Sequence, residues 1–460
     1  MTADAHEVAV ARLREAYAAW PPGTPVRLAK HTSNLFRFRN ATPSAGPPAG
    51  LDVSAFGRVL RVDPVRRTAW VGGMTTYEDL CEATLRHRLM PLVVPQLKTI
   101  TLGGAISGLG IESTSLRNGM PHESMTELEI LAGDGRVVRA TAGNEHAGLF
   151  RGFPNSYGTL GYTLSVTIEL EPVQPFVHLR HFRFATPEAC MDAVAQIAAE
   201  GRFRGHRVDF LDGTAFAPDE LYLTAGAFSD VAPWRSDYTG QQIYYTSIRN
   251  AKEDFLTIRD YLWRWDTDWF WCSRPFGVQK PLVRRLWPRR YRRSDVYRKL
   301  VALDRRYGLT DTMTAHRQRP PREMVVQDVE IPVEHGADFL RFFAANVGMS
   351  PVWMCPLRLR GERAWPLWPL RPGEVYVNFG FWGTVSLPAG GGARTDGYFN
   401  RLVEDEVTKL NGHKSLYSTS FYAEDEFYRR YNGAEYWALK RAYDGDGRLL
   451  GLYEKCVSGR

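Results

Sequence analysis

A chain of 460 residues exceeds the roughly 250–300 residues over which a single hydrophobic core usually grows, so two lobes are expected. Its 58 Lys+Arg against 51 Asp+Glu leave a net charge of only +7, too thin an excess for a dedicated nucleic-acid binder. Five cysteines, odd in number, widely spaced and free of any C-x-x-C, exclude a disulfide framework, a zinc ribbon and a dithiol redox centre, and no metal site is expected.

The N-terminal segment MTADAHEVAVARLREAY lacks the apolar core of a signal peptide, and no stretch offers the ~20 uninterrupted apolar residues of a membrane span. Synthesis and residence in the cytosol are therefore expected. His6 to Trp20 reads as an amphipathic helix stopped by Pro21-Pro22-Gly23, and Pro25 to Leu28 as a short strand. Asn40 to Gly50 (NATPSAGPPAG) is a surface loop by composition.

The most informative stretch is Thr101 to Ser115, TLGGAISGLGIESTS. Glycine carries no Cβ and tolerates positive φ, so such a run brings backbone N–H groups close to an anion or a flat ring. Its G-G-x-x-x-G-x-G spacing matches neither the P-loop nor the dinucleotide fingerprint of the doubly wound fold. Leu128 to Val138 (LEILAGDGRVV) reads as a hairpin. A second small-residue turn, Gly158-Thr159-Leu160-Gly161, runs straight into the alternating strand Tyr162 to Leu170 (YTLSVTIEL). Two such loops can hold one large cofactor between them.

After Pro172 the character changes to a region heavy in Trp, Tyr and Arg. Between Asp260 and Tyr297, Trp263, Trp265, Trp269, Phe270, Trp271, Phe276, Trp287 and Tyr291 alternate with Arg284, Arg285, Arg289, Arg290, Arg292 and Arg293. Two readings stand: a solvated basic face over an ordinary aromatic core, or an interfacial segment in which Trp and Tyr sit at lipid headgroup level and Arg meets phosphates.

Taken together, VGGMTTYEDL (Val71 to Leu80), the glycine stretch, the hairpin and Leu149 to Gly161 resemble the FAD domain of the vanillyl-alcohol-oxidase-type flavoproteins. The resemblance narrows to the sterol delta-24 reductases (the diminuto family) and bacterial relatives that reduce methylene-branched fatty acyl chains. Gly110 to Ser113 with Ser115, Asn118-Gly119, Tyr157 to Gly161, Trp353-Met354-Cys355-Pro356, and Leu416-Tyr417 with Phe421 to Phe427 carry it, from about Leu51 onward.

The resemblance implies an α+β fold: a two-lobed PCMH-type FAD-binding domain over residues 1–171, an α/β substrate (cap) domain over 172–400 that contains the Trp/Arg segment, and a C-terminal segment, 401–460, returning to the flavin. It places the pyrophosphate loop at Lys30, His31, Thr32, Ser33 and Asn34, where the family's glycines are missing and side chains have to serve the phosphates instead. His31 falls near a position of covalent attachment in some relatives; a non-covalent FAD is the expectation here. The flavin is expected along Thr101, Gly103, Gly104, Gly108, Gly110, Ile111, Glu112, Ser113 and Ser115, with Asn118 and Arg117 as weaker contacts beside it and Gly158, Thr159 and Gly161 closing the site.

The expected reaction is reduction of a carbon–carbon double bond in a lipid by FAD recharged from NADPH. Proton-donor candidates are Tyr417, Tyr422 and Glu112, then His413 and Glu424; bracing of the loop by Glu112 and core packing of the tyrosines are open alternatives. The Ala/Arg/Gly/Pro-heavy composition resembles the fatty-acyl branch more than the sterol branch. The implied substrate is a methylene-branched fatty acyl chain, within a phospholipid, converted to the methyl-branched chain of tuberculostearic type. A fatty-acyl methyltransferase would be the pathway partner, and the enzyme would sit peripherally on the inner face of the membrane. The alternatives are a sterol delta-24 side-chain reductase, or an FAD-dependent oxidase or dehydrogenase of an alcohol or hydroxy acid.

Overall fold

The computed structural model describes residues 3–21, 23–30, 35–37, 50–307, 322–387 and 397–458. The loop expected at 40–50 lies outside them except for its last residue, as do His31, Thr32, Ser33 and Asn34. The N-terminal helix is present at Ala3–Ala18. The expected strand after it is displaced to Leu28–Ala29, which pairs in parallel with Leu51–Asp52.

The structure is an α+β fold built on two sheets. The first runs in the order Val59–Asp63, Thr68–Gly72, Tyr162–Pro172, Met125–Leu131, Val137–Ala140, with Leu89–Pro91 added against Tyr162–Pro172, and every pairing is antiparallel. The hairpin and the strand after the second glycine turn therefore form as their alternating patterns predict. The glycine stretch differs from the expected loop: Leu102–Ser107 is a short helix. Thr101 caps it by accepting a hydrogen bond from Gly104 N at 3.2 Å, and Gly108 ends it.

The second sheet has eight strands in the order Glu253–Thr257, Phe176–Phe184, Glu220–Ser229, Phe210–Ala217, Val352–Leu357, Tyr376–Ser386, Arg322–Pro332, His413–Lys414. Strand periodicity divides its residues between two faces. Val325, Val329, Ile331, Val377, Phe379 and Phe381 pack in one buried core with the helices Pro187–Glu200, Gly336–Asn346 and Tyr398–Lys409. Asp212, Asp328, Glu330, Asn378, Trp353 and Trp382 fall on the alternate positions. Trp353 and Trp382 pack with the core that also holds Leu102, Ala105 and Ile106 of the glycine segment. The polar face of the second sheet is thus turned toward the first lobe, the arrangement a shared site requires.

The Trp/Arg segment corrects part of its interfacial reading. Trp263, Trp265, Trp269, Phe270 and Trp271 are buried, as are Arg284 and Arg292. Arg284 pairs with Asp268 at 2.7 Å, and Arg292 is bound to the carbonyls of Thr239, Gly240, Arg284 and Trp287. These aromatic rings are core, and two of the arginines are internal clamps rather than a solvated face. Among the described residues, no helix is long and apolar enough to cross a membrane, and no group of His, Cys, Asp and Glu could hold a metal ion.

Candidate active site

Three chain segments close-pack around the glycine helix. Gly103 N donates to Gly73 O at 2.8 Å, Asn155 N to Gly108 O at 3.1 Å and Tyr157 N to Ser107 O at 2.7 Å. A Cβ on Gly73 would lie 2.2 Å from Thr163 O, one on Gly103 would lie 2.6 Å from Gly73 O, and one on Gly108 would meet Gly104 O at 2.8 Å and the Tyr157 ring at 3.1 Å. Backbone rests on backbone there, so these glycines are demanded by the packing of the loops themselves. Gly104 is less constrained, since its Cβ would meet only Thr101 Oγ1, at 2.9 Å. In the second turn Tyr157, Gly158 and Gly161 have φ of 52°, 76° and 145°.

Buried polar atoms with no protein partner gather along these segments: Thr75 Oγ1, Asn155 Oδ1, Ser156 Oγ, Tyr157 Oη, Thr163 Oγ1 and Nη1 of Arg37. Buried polar groups left without partners are costly, and a ligand of many hydroxyls and phosphates would satisfy them. Cations converge beside them. Arg37 lies over the Tyr157 ring at 4.3 Å and donates to Leu416 O at 2.9 Å. Lys455 is held down to about 7 by desolvation and then by the charges of Lys30 and Arg37. Lys30 keeps contact with solvent, yet desolvation by the surrounding protein and the charge of Arg37 lower it as well. Three cations that repel one another, next to unpartnered hydroxyls, fit the diphosphate and sugar of a dinucleotide. Sequence reasoning missed Arg37 and Lys455, which stand outside any glycine motif, and Thr75, which lies just after Gly72-Gly73 in VGGMTTYEDL.

The remaining predicted residues are committed to the frame. Ser115 Oγ accepts from Glu112 N at 3.0 Å, Ser113 Oγ donates to Glu112 at 2.7 Å, and Gly110 is wedged between Pro95 and Pro121. Ile111 is buried beside them. Thr159 Oγ1 donates to Ser156 O at 2.8 Å. Asn118 Nδ2 donates to Leu92 O and Glu171, and Arg117 pairs with Glu171 at 2.7 Å. Glu112 itself pairs with Arg264 at 2.8 Å, and Arg264 with Asp212 at 2.7 Å, all three side chains being almost wholly buried. This geometry gives Glu112 a bracing part, tying the glycine segment to the second sheet.

The titratable centre lies on that sheet. Tyr417 Oη accepts from Trp382 Nε1 at 2.7 Å and lies within electrostatic reach of Asp328, whose Oδ1 accepts from Asn378 Nδ2 at 2.9 Å. Burial raises Asp328 to about 6. Burial, then the negative charge of Asp328, raises Tyr417 well above its ordinary value, so it keeps its proton at neutral pH. Glu330, two residues along the same strand face, is raised well above the usual carboxylate range by burial and by Asp328; its Oε1 accepts from Ser415 at 2.9 Å. Phe36, beside Arg37, reaches the same place: its N donates to Tyr417 O at 2.9 Å, and its ring meets Tyr417 edge-on at 6.0 Å. Tyr417 thus stands between the cation cluster and an aromatic wall of Trp269, Phe270, Trp271, Trp353 and Trp382.

Tyr422 lies elsewhere, buried with Arg430 over its ring at 5.0 Å and against Tyr431. His413 is lowered to about 4 by burial and then by Arg430 and Arg371, and Glu424 opens the helix Glu424–Arg430. Asp328 and Glu330 were missed in the sequence. The signal was QDVEI, two carboxylates alternating with β-branched residues at the buried end of the strand.

If Lys455 contacts a phosphate, an anion should restore its proton. Affinity for FAD is then expected to be greatest below pH 7 and to fall as pH rises from 7 to 9, by up to ~10-fold per pH unit, because binding takes up a proton. In Lys455→Met this slope should vanish. Titration of the apoprotein with FAD by flavin fluorescence at several pH values checks it, and an unchanged slope would remove Lys455 from the phosphate site.

Comparison with known proteins agrees with this geometry. Residues 18–141 match the FAD binding domain family. The chain is 26% identical over 440 residues to the Delta(24)-sterol reductase of Mus musculus, covering 89% of this chain and 76% of that one. It is 23% identical over 449 residues to the Delta(24)-sterol reductase of Arabidopsis thaliana, covering 89% and 77%. Cytokinin dehydrogenase 5 of Arabidopsis thaliana is 29% identical over 114 residues, 25% of this chain and 21% of that protein. The resemblance read from the sequence, to PCMH-type flavoproteins and within them to the sterol delta-24 reductases, is borne out.

Proposed function

We propose that this chain is an oxidoreductase using FAD and NADPH to reduce a carbon–carbon double bond in a lipid, converting a methylene-branched fatty acyl chain to the methyl-branched chain. The observation that carries the reading is the Tyr417–Asp328 pair, set between a cation-lined cradle and a wall of tryptophans. When bound, non-covalent FAD supplies a two-electron carrier that NADPH recharges. An isolated alkene has no carbonyl to polarise it, so hydride arriving at one carbon has to be matched by a proton at the other.

Tyr417 holds that proton. Trp382 Nε1 occupies one lone pair of the hydroxyl, so the group is oriented before substrate arrives, with the Asp328 carboxyl nearby. Asp328, with Asn378 holding its carboxylate, can take up a proton at a pH near 6 and return it to the phenol. The tryptophan wall excludes water and accepts an acyl chain. Lys30, Arg37 and Lys455 bind the diphosphate, while Thr75, Ser156 and Thr163 serve the sugar and ribityl hydroxyls. Glu112, through Arg264, positions the glycine segment against the substrate sheet.

A fatty-acyl methyltransferase that installs the methylene would supply the substrate, and the enzyme would work at the inner membrane surface. Mass spectrometry of lipids from cells with and without the gene tests the reading. Loss of the gene should raise methylene-branched chains at the expense of methyl-branched ones, and unchanged acyl profiles would overturn it. Similarity to the Delta(24)-sterol reductases along 89% of the chain supports a second reading, reduction of a sterol side chain. Accumulation of an unsaturated side-chain sterol in the same profiles would favour it.

A further inference from the structure

The helix Pro281–Leu286 carries an apolar surface that its own fold does not cover. Leu282 is 78% exposed and Leu286 83%, and at i and i+4 they share one helix face. Val283 and Tyr291 are exposed beside them. Such side chains held out singly are ordinary, but here they are grouped and rimmed by exposed Lys280, Arg285, Arg289 and Arg290. Of these, Arg289 has an acidic neighbour, Asp237 at 3.2 Å. The protrusion is pinned from beneath: Arg284, on the opposite side of the helix, binds Asp268 and the carbonyls of Gly240 and Gln242. Leu282 and Leu286 are thus presented on a fixed support.

The same edge adjoins a cavity of about 810 Å³ whose lining is mixed, with Phe216, Tyr245 and Pro351 beside Glu220, Arg249 and Arg274. Tyr245 Oη donates to Gln279 Oε1 at 2.7 Å, two residues before the helix begins. Inward, the Tyr245 ring meets Trp271 at 6.2 Å, Trp271 meets Trp382 at 5.4 Å, and Trp382 holds Tyr417. Packed aromatic rings therefore run from beside Gln279 to the titratable centre.

We propose that Leu282, Leu286 and the surrounding cations dock this protein on an anionic phospholipid bilayer, so that an acyl chain passes from the membrane into the cavity beside Tyr245. Leucines at an interface insert into the acyl boundary while arginines meet the phosphates, and the pairing of the two on one rigid edge matches the charge and polarity profile of a lipid surface. The inference rests on the lipid-reductase reading for its second half, the passage of the chain.

Co-sedimentation of the full-length flavoprotein with vesicles tests it. Vesicles of phosphatidylcholine with an equal part of phosphatidylglycerol should bind wild-type protein, phosphatidylcholine alone far less, and rising salt should weaken the former. Arg285→Gln/Arg289→Gln/Arg290→Gln should lower binding to anionic vesicles on the order of 100-fold, at ~1 kcal/mol per charge. Leu282→Ser/Leu286→Ser should lower it at least ~10-fold with the flavin spectrum unchanged, since both side chains are solvent-exposed and their loss opens no cavity. Equal binding by the leucine variant and wild type would overturn the proposal. So would a leucine variant that dissociates a dimer of this chain without losing vesicle affinity. Because the assay needs no turnover, vesicle binding through this edge by a protein that fails to reduce methylene-branched lipid would leave the docking intact and reject the reductase reading.

Discussion

Tyr417→Phe is expected to slow reoxidation of reduced flavin by the alkene by ~10²–10⁴-fold, the usual loss for a missing general acid, while reduction by NADPH keeps its wild-type rate. The two half-reactions separate because the flavin changes colour between them, so stopped-flow absorbance reads each directly. Asp328→Asn should affect the same half-reaction and abolish any pH dependence of it near 6, since Asp328 is the group raised to about 6. Tyr422→Phe supplies the contrast: its hydroxyl lies with Arg430 and Tyr431, away from Trp382, and neither half-reaction should change. A selective defect in Tyr422→Phe with none in Tyr417→Phe would reverse the assignment.

Asp328 also carries a signature in stability. Its folded-state pKa lies above the ordinary 3.8, so the folded protein binds that proton more tightly than the unfolded chain does. Its contribution is therefore most favourable below about pH 4 and declines as pH rises to about 6, leaving a fixed cost of up to ~3 kcal/mol above that. Asparagine, neutral throughout, escapes the cost. Asp328→Asn should raise the melting temperature at pH 8 and leave it unchanged at pH 4; the same shift at both would mean that the carboxylate is not being held against its solvation.

Arg264→Leu should cost about 3–5 kcal/mol, because it strips the shared cation from two buried carboxylates, Glu112 and Asp212, and leaves them facing one another. Thermal and urea unfolding of the flavoprotein measure it, and FAD retention should fall with it, since Glu112 ties the glycine segment to the second sheet. Glu112→Gln is milder, as an amide oxygen can still accept from Arg264 and Ser113. Its alkene half-reaction should match wild type. A selective reoxidation defect in Glu112→Gln would instead make Glu112 the proton donor and displace Tyr417.

Much of the first lobe was legible because its signals are local. Period-two alternation in YTLSVTIEL and the turn in LEILAGDGRVV depend on neighbouring residues alone, and both strands formed. The glycines were legible as a demand for close approach, though not as a helix. Thr101 as a cap, and backbone packing by Gly73 and Thr163, turned Leu102–Ser107 into a helical turn that composition reads as loop. The Trp/Arg segment misled for a related reason. Tryptophan and arginine are compatible with a membrane edge and with a core, and only burial separates Trp265 from Leu286, or the clamping Arg284 from the exposed Arg285.

By itself, then, the sequence carried the order of motifs on which the resemblance rests, and through it the expected α+β character, the FAD-type architecture and the candidacy of Tyr417. Tertiary structure alone decided which charges meet. Asp328 and Tyr417 are 89 positions apart and face each other only because Arg322–Pro332 lies between Tyr376–Ser386 and His413–Lys414 in the second sheet. Arg37 and Lys455 come from opposite ends of the chain to one cation cluster. Desolvation and Coulomb energy depend on distance in space, which no spacing along a chain encodes once the partners lie on different strands.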